Sequence, residues 1–463
     1  MYYTCNQYNT FTGFANPFKG VFEDMFRFYI ALILSKLAYL AIKILKNSGG
    51  TSFAGMLALK ICPDFIKYCK KYVKDIITIT GTNGKSTTSG ILAHILEEEN
   101  RIIHNVKGAN MLTGIANVFA LNLPCKKFDY AVLESDEAYL TKLYDFMRAD
   151  FLLVTNLFRD QLDRYGELET TAGFIKNAID KANPILFLNA DDPLVANLGK
   201  GKEVFYYGFE NVEFCSDKHK SSSTAPSEVF KCVCGEELKY SKRFFAQQGH
   251  YYCEKCGHNR PELTFKGNAK IYDDYSELSI EFDGKTYEFR VNLIGLYNAY
   301  NALGAISSAL FLNIDYEVIK NALLTYKSIF GRAEKRNING HNALIQLIKN
   351  PTGASEVLKT VDLSSQILIA INDNYADGRD VSWLWDADFE RLQNTQKPIV
   401  VSGIRAKDMA VRLKYAGIPA NKIIIEEDLK KAVEIASSSD KIEENLTILP
   451  TYTALLKLNK MKF

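Results

Sequence analysis

Eight consecutive residues, Thr80-Gly81-Thr82-Asn83-Gly84-Lys85-Ser86-Thr87, constrain this chain more than any other feature. They follow the β-branched run IITIT (Ile76–Thr80), which reads as a buried strand. They lead directly into SGILAHILEEE, which reads as a helix. A strand, a glycine turn and a helix N-terminus in that order make a phosphate cradle. Backbone N–H groups of the turn and of the first helical turn point at anionic oxygens. Lys85 adds a positive charge for the β- and γ-phosphates, and Ser86 offers a hydroxyl to Mg2+. The general pattern has a glycine five residues before the glycine of the Gly-Lys pair, where this chain has Ile79. Gly81 lies three before Gly84, so the loop is a shortened form. Residues Gly81 to Thr87 are therefore expected to bind ATP.

The same strand-then-polar design recurs. YAVLESDEA (Tyr130–Ala138), FLLVTNL (Phe151–Leu157) and ILFLNADDP (Ile185–Pro193) each read as a buried strand ending in polar residues. Strands alternating with helical stretches imply a parallel sheet covered by helices, with the ligand crevice past the strand C-termini. Composition shifts near Phe214. SSSTAPSE (Ser221–Glu228) reads as a loop, and a cysteine cluster follows it. Then LTFKG and YSELSIEFDGKTYEFRV read as a hairpin around an Asp-Gly turn. A long helix opens at Gly295. After Gly331 the runs ALIQLI, QILIAIN, IVVSGI and KIIIEE read as buried strands of a second α/β domain. The expected fold class is α/β: an N-terminal helical segment (1–55), a central ATP-binding domain (56–330) with a metal ribbon inserted at about 214–262, and a C-terminal α/β domain (331–463).

Composition narrows the partners. Lysine and arginine number 56 against 54 acids, a net charge of +2. That balance gives no push toward nucleic acid. Met1 to Gly20 has no basic start, apolar core and small-residue cleavage site, so no secretory signal is expected there. Phe26 to Leu45 has about the length of a membrane span, but Lys36 sits near its centre and Lys43 near its end. A central lysine costs about 3 kcal/mol on insertion. The stretch reads as a helix packed on protein, with an interfacial helix as the alternative. The expected location is the cytoplasm, with attachment to the inner face of the membrane as the variant of that reading.

The nine cysteines are odd in number, and four cluster, which fits a metal site in a reducing compartment. Cys232-x-Cys234 and Cys253-x-x-Cys256 lie 18 residues apart, and two pairs across a hairpin set four thiolates around a structural Zn2+. The single residue between Cys232 and Cys234 is one fewer than a regular ribbon has, so Cys215 is an alternative ligand.

The TGTNGKST form resembles the Mur ligase and folylpolyglutamate synthase superfamily. Further motifs follow in its order: Glu134 in LESDEA, Asn189-Ala190-Asp191-Asp192-Pro193, Gly295-x-x-Asn298-x-x-Asn301, and Phe330-Gly331-Arg332-x-Glu334. The resemblance implies a Mg2+ at Glu134, nucleotide contacts from Asp191 and Asn298, and Arg332 reaching the phosphates from the hinge. Taken alone, Glu134 reads more readily as a solvated strand-end acid. Gln161 stands where those ligases carry a metal-binding His, and Lys176 falls at the spacing of their carbamylated lysine, although a solvated lysine is the simpler reading.

The ribbon's placement and the segments IKNPTGASEVL, INDNYADGRDVSWLWDADFE and LPTYTALLKL resemble the MurT family, the synthetase subunits of lipid II isoglutaminyl synthases. That resemblance implies a GatD-like glutaminase partner and lipid II as substrate at the membrane surface. It also implies amidation of its D-glutamate α-carboxylate through an acyl phosphate. An acid lent to the partner's catalytic His is implied too, with Asp373 preferred over Asp377 and Asp380. The competing readings are a free-standing amino-acid ligase of the same superfamily and a zinc-ribbon ATPase that binds nucleic acid. About 75 residues precede the IITIT strand. That is too few for a uridine-nucleotide-binding domain and fits a lipid-held substrate.

Overall fold

β1 (Val73–Thr80) is apolar and buried without interruption from Ile76 onward, as expected for a strand inside a parallel sheet. The computed structural model describes residues 17–46, 52–106, 109–124, 127–160, 168–215, 231–328, 331–438 and 445–463. Within these, β1 pairs in parallel with β3 (Phe128–Glu134) on one side and β4 (Phe151–Val154) on the other. β2 (Ile102–His104) lies outside β3, while β5 (Ile185–Asn189) and β6 (Val204–Phe214) continue beyond β4. β9 (Phe265–Ile271) joins β6 in parallel, and β10 (Ser276–Phe282) and β11 (Lys285–Val291) finish that edge as an antiparallel hairpin. Its two-residue turn is Asp283-Gly284, with φ of 49° and 71°, the left-handed pair that such a turn demands.

Six helices accompany this sheet among the described residues: α4 (Lys85–Glu97), α6 (Glu137–Phe146), α7 (Leu168–Ala182), α8 (Pro193–Asn197), α9 (Leu296–Phe311) and α10 (Tyr316–Thr325). α9 is buried along most of its length and packs on α4. The connection after β1 runs to β2 on one side and that after β4 runs to β5 on the other, so the crevice past the C-terminal ends of neighbouring β1 and β4 is a topological switch point. An open α/β sheet holds its ligand there.

The ribbon is a separate antiparallel pair, β7 (Lys239–Phe245) and β8 (Gln248–Tyr252). Asp191, just past β5, anchors it. The Asp191 carboxylate accepts from Arg260 Nε at 2.6 Å, Tyr300 Oη at 2.8 Å and Phe209 N at 2.8 Å, and its carbonyl accepts from Gly249 N at 3.0 Å.

The C-terminal domain has a six-stranded sheet among the described residues. It runs β12 (Arg332–Ile338), β13 (His341–Gln346), β17 (Asn445–Pro450), β14 (Gln366–Ala370), β15 (Ile399–Ser402), β16 (Ile423–Ile425). Only the β12–β13 pair is antiparallel. Helices α11 (Pro351–Leu358), α12 (Ala406–Tyr415), α13 (Leu429–Ala436) and α14 (Tyr452–Leu458) accompany it. Its strands are the four expected runs plus β12 and β17.

A second compact unit comprises residues 1–72 and 113–126. Its helices are α1 (Pro17–Lys46), α2 (Phe53–Ile61), α3 (Phe65–Cys69) and α5 (Leu112–Asn122). Phe28 of α1 stacks on Phe65 of α3 with ring centroids 5.1 Å apart. Gly55 lets α2 approach α5 closely, since a Cβ there would lie 1.9 Å from the Thr113 carbonyl. The stretch Glu23–Ile44 of α1 is long and apolar enough to cross a membrane.

Candidate nucleotide and metal sites

The shortened loop leaves β1 at Thr80 and enters α4 at Lys85, so the strand–turn–helix context expected of a phosphate cradle is present. Gly81 and Gly84 have φ of 122° and 86°. A Cβ on Gly84 would lie 1.9 Å from Asn301 Oδ1, so α9 presses on the loop at the one residue able to yield room. The N–H groups of Thr82 and Asn83 are already bonded to Asn156, to its carbonyl at 2.9 Å and its Oδ1 at 2.8 Å. The donors left for an anion are those of the first turn of α4, at Lys85, Ser86 and Thr87, where a helix supplies no carbonyl partner.

Lys85 is held ready. Its Nζ donates to the Gly81 carbonyl at 2.5 Å and to Glu137 Oε1 at 3.1 Å. Burial works against its charge, but Glu137, followed by Asp136, Glu134 and Asp160, outweighs burial and holds its pKa above the usual lysine value. Ser86 Oγ donates to Glu134 Oε2, so the two oxygens expected to ligate Mg2+ already share one point. Glu134 is fixed from both ends. Asn105 pairs with its backbone through two bonds of 2.8 Å, and Asn110 Nδ2 reaches Oε1 at 3.3 Å.

The remaining expected residues fall as follows. Asn301 touches the loop, and its Nδ2 donates to Asn298 Oδ1 at 3.2 Å, while Asn298 Nδ2 ties back to the Ile294 carbonyl at 2.8 Å. Asp191 is fully buried, and both its oxygens are occupied by the ribbon anchor. Arg332 opens β12 and makes no ion pair among the described residues. Burial pushes the Tyr452 hydroxyl up, and Arg332 and Glu134 act on it with opposite sign, so both charges reach the same neighbourhood. Lys176 lies on the outer face of α7, 3.3 Å from Asp180. Gln161, Phe330 and the loop 221–228 lie outside the described residues.

Contacts not expected from the sequence, several of them from residues given no role there, complete the site. Asn83 and Asn350 exchange two side-chain amide bonds, of 3.3 and 2.9 Å, between the central and C-terminal domains. Lys349 pairs with Asp160 and reaches the Thr82 carbonyl at 3.4 Å. Arg159 pairs with Asp386. Glu137 stands three residues after Glu134 in the same motif, a spacing that offered a signal. Lys349 and Asn350 lie in IKNPTGASEVL, but their partners are far away in sequence.

Cys232, Cys234, Cys253 and Cys256 bring their sulfurs within 4.8 Å of one another. Two of the separations are 3.5 and 3.6 Å. Tetrahedral Zn–S bonds of about 2.3 Å put sulfurs about 3.8 Å apart, so the set fits zinc despite the short first spacing. Cys215 is exposed at the end of β6 and is not part of this cluster.

At the C-terminal end of β14, the three acids differ in freedom. Asp377 is buried and accepts from Thr453 N at 2.7 Å, Thr453 Oγ1 at 2.6 Å and Asn374 N at 3.1 Å. Burial pushes its carboxyl up against those bonds. Asp380 caps a turn by accepting from Ser382 N at 2.8 Å. Among the described residues, Asp373 has a loose ion pair, 3.8 Å from Arg405.

Comparisons with known proteins identify the family. The family model described as Mur ligase middle domain matches residues 79–247, and the one described as MurT ligase C-terminal matches residues 347–455. The lipid II isoglutaminyl synthase (glutamine-hydrolyzing) subunit MurT of Streptococcus pneumoniae is 34% identical over 423 residues, covering 89% of this chain and 92% of that protein. The protein of the same name from Staphylococcus aureus (strain COL) is 35% identical over 437 residues, covering 93% and 96%. In fold, the chain is similar to a pseudomurein peptide ligase type C from Methanothermus fervidus, with a TM-score of 0.64 at 22% identity, covering 84% of this chain and 79% of that one. With a nucleotide loop, a four-cysteine ribbon and a matching C-terminal domain in one chain, this protein belongs to the MurT family of Mur ligase-type, ATP-dependent ligases.

Proposed function

We infer that the chain amidates the α-carboxylate of D-glutamate in lipid II, giving D-isoglutamine, with ammonia delivered by a GatD-like glutaminase subunit. The observation that carries this reading is the convergence of Lys85, Ser86 and Glu134 at the mouth of the loop, in a chain related along most of its length to named MurT subunits. A carboxylate oxygen attacks the γ-phosphorus of ATP, ADP leaves, and an acyl phosphate forms. The ammonia lone pair then attacks the acyl carbon and phosphate departs. Mg2+ held between Ser86 and Glu134 would neutralise charge on the transferring phosphoryl group. Lys85 and the first-turn N–H groups of α4 orient the β- and γ-phosphates, and Arg332 approaches from the hinge. These residues supply positioning and charge neutralisation, the two terms that dominate phosphoryl transfer. Zinc in the ribbon is structural, because four sulfurs leave no open coordination position. Asp373 serves the partner's catalytic His, and the complex works in the cytoplasm at the inner face of the membrane.

The test is phosphate release by the purified complex on lipid II. Ammonium or glutamine should support turnover, and other free amino acids, offered as acceptors in place of ammonia, should not. Turnover driven by an amino acid, with incorporation of that amino acid, would replace this reading with a free-standing ligase.

A further inference from the structure

α1 has two apolar faces, and the unit that contains it uses only one. Phe28, Ala31, Leu32 and Ser35 are at most 2% exposed and face the other helices of the unit. On the opposite side stand Phe26, Tyr29, Ile33, Leu37, Leu40 and Ile44, which are 61, 42, 59, 57, 54 and 74% exposed. At 3.6 residues per turn these six fall within about 80° of arc, so they form one straight stripe roughly five turns long. Lys36 and Lys43 border the stripe on one flank. An exposed apolar stripe of this length marks an interaction surface.

We propose that this stripe docks the protein on an anionic lipid bilayer, with α1 lying in the plane of the interface. Charge favours a bilayer over a second protein surface. The unit formed by residues 1–72 and 113–126 carries ten lysines and arginines against three acids, although the whole chain is almost neutral. The unit that bears the stripe is therefore net +7 (10 − 3), while the rest of the chain is net −5 (46 − 51). The flanking lysines fit as well: their alkyl stems extend the apolar face while the ammonium groups reach the headgroups. Spanning is excluded by the buried face, since crossing the membrane would strip Phe28 and Leu32 from their packing against the unit's own helices. The choice of a bilayer also rests on the lipid-linked substrate inferred above, because a helix lying at the interface would keep the enzyme where that substrate is anchored.

The experiment is co-sedimentation of the full chain with vesicles, in the absence of substrate and nucleotide. Vesicles of phosphatidylglycerol and phosphatidylcholine are compared with phosphatidylcholine alone. Binding should be at least tenfold tighter to the anionic vesicles. Ile33→Ser/Leu40→Ser should weaken it about tenfold or more with unaltered Tm, since both side chains are exposed. Lys36→Gln/Lys43→Gln should weaken it about fivefold per lysine. Amidation of a water-soluble, lipid-free analogue should be unchanged in all variants, whereas amidation of vesicle-embedded lipid II should fall. Equal binding to both vesicle types, or undiminished binding by Ile33→Ser/Leu40→Ser, overturns the proposal. So does a concentration-dependent dimer that this double variant abolishes while vesicle binding persists. Vesicle binding is read without catalysis, so its failure leaves the inferred reaction standing, and failure of amidation leaves vesicle binding standing.

Discussion

At the scale of single residues, Lys85 makes a sharp commitment. It sits at the first position of α4 with its charge reinforced by Glu137. Nothing else described can place a cation between the phosphates from inside the loop. Lys85→Ala should leave the fold intact, because the lysine packs against carbonyls of its own loop and one acid. ATP-dependent amidation should fall to below about a tenth, the equivalent of at least ~1.4 kcal/mol of barrier. Steady-state amidation, beside a thermal melt, measures both. Lys85 and Ser86 could be singled out from sequence because a strand–turn–helix motif carries its chemistry at fixed local spacing, whereas Glu134, at the end of β3, was singled out only through the family resemblance. Asn105, Asn156 and Asn350 were not. Each acts on a residue far from it in the chain, and an asparagine in a loop has many local uses. Asp191 shows the opposite limit. Its motif is intact in the sequence, yet in the fold its carboxylate is spent on Arg260 and Tyr300.

At the scale of elements, continuous apolar runs gave the buried parallel strands β1, β4, β5, β14 and β15, and the Asp-Gly pair gave the β10–β11 hairpin. β12 and β2 were not legible. β12 is rich in charged and polar residues and mostly half-buried, and β2 has three residues, so neither offers a hydrophobic period to read. The four-cysteine ribbon was legible in its ligands but not in its attachment. That attachment, through Arg260 to Asp191, lets the ribbon's state reach the end of β5. Purified protein should hold about one zinc per chain by elemental analysis. A strong chelator, or Cys253→Ser, should expose the 231–260 hairpin to protease and lower Tm, with the first cut inside the ribbon. Metal-free protein that resists cleavage as well as the native form does would show that the hairpin stands without zinc.

At the scale of the whole molecule, the two α/β domains divide the labour. In the proposed function, phosphate chemistry is gathered at the end of β1, and the acid proposed to serve the partner stands at the end of β14, on a different sheet. Asp373→Asn keeps the shape and removes the charge that would orient a partner's imidazole. Glutamine-driven amidation by the complex should drop by about two orders of magnitude or more, while amidation with added ammonium should be preserved and the complex should still assemble. An equal fall in both assays would move Asp373 into the synthetase site. A fall in neither would move the role to another acid of the same loop. Asp380 would be the next to test, because Asp377 is already consumed by Thr453.

The joint between those two domains is mixed in character. Lys349–Asp160 and Arg159–Asp386 are charged contacts, and the Asn83–Asn350 pair is neutral. Mobile ions screen partly exposed charges over about 8 Å at physiological ionic strength, but they leave an amide–amide contact almost untouched. Concentrated salt should therefore loosen the joint without parting it. The two asparagines yield to competing hydrogen-bonding groups, so the Asn83–Asn350 contact is expected to respond to a polar ligand in the crevice more than to the ionic composition of the surroundings.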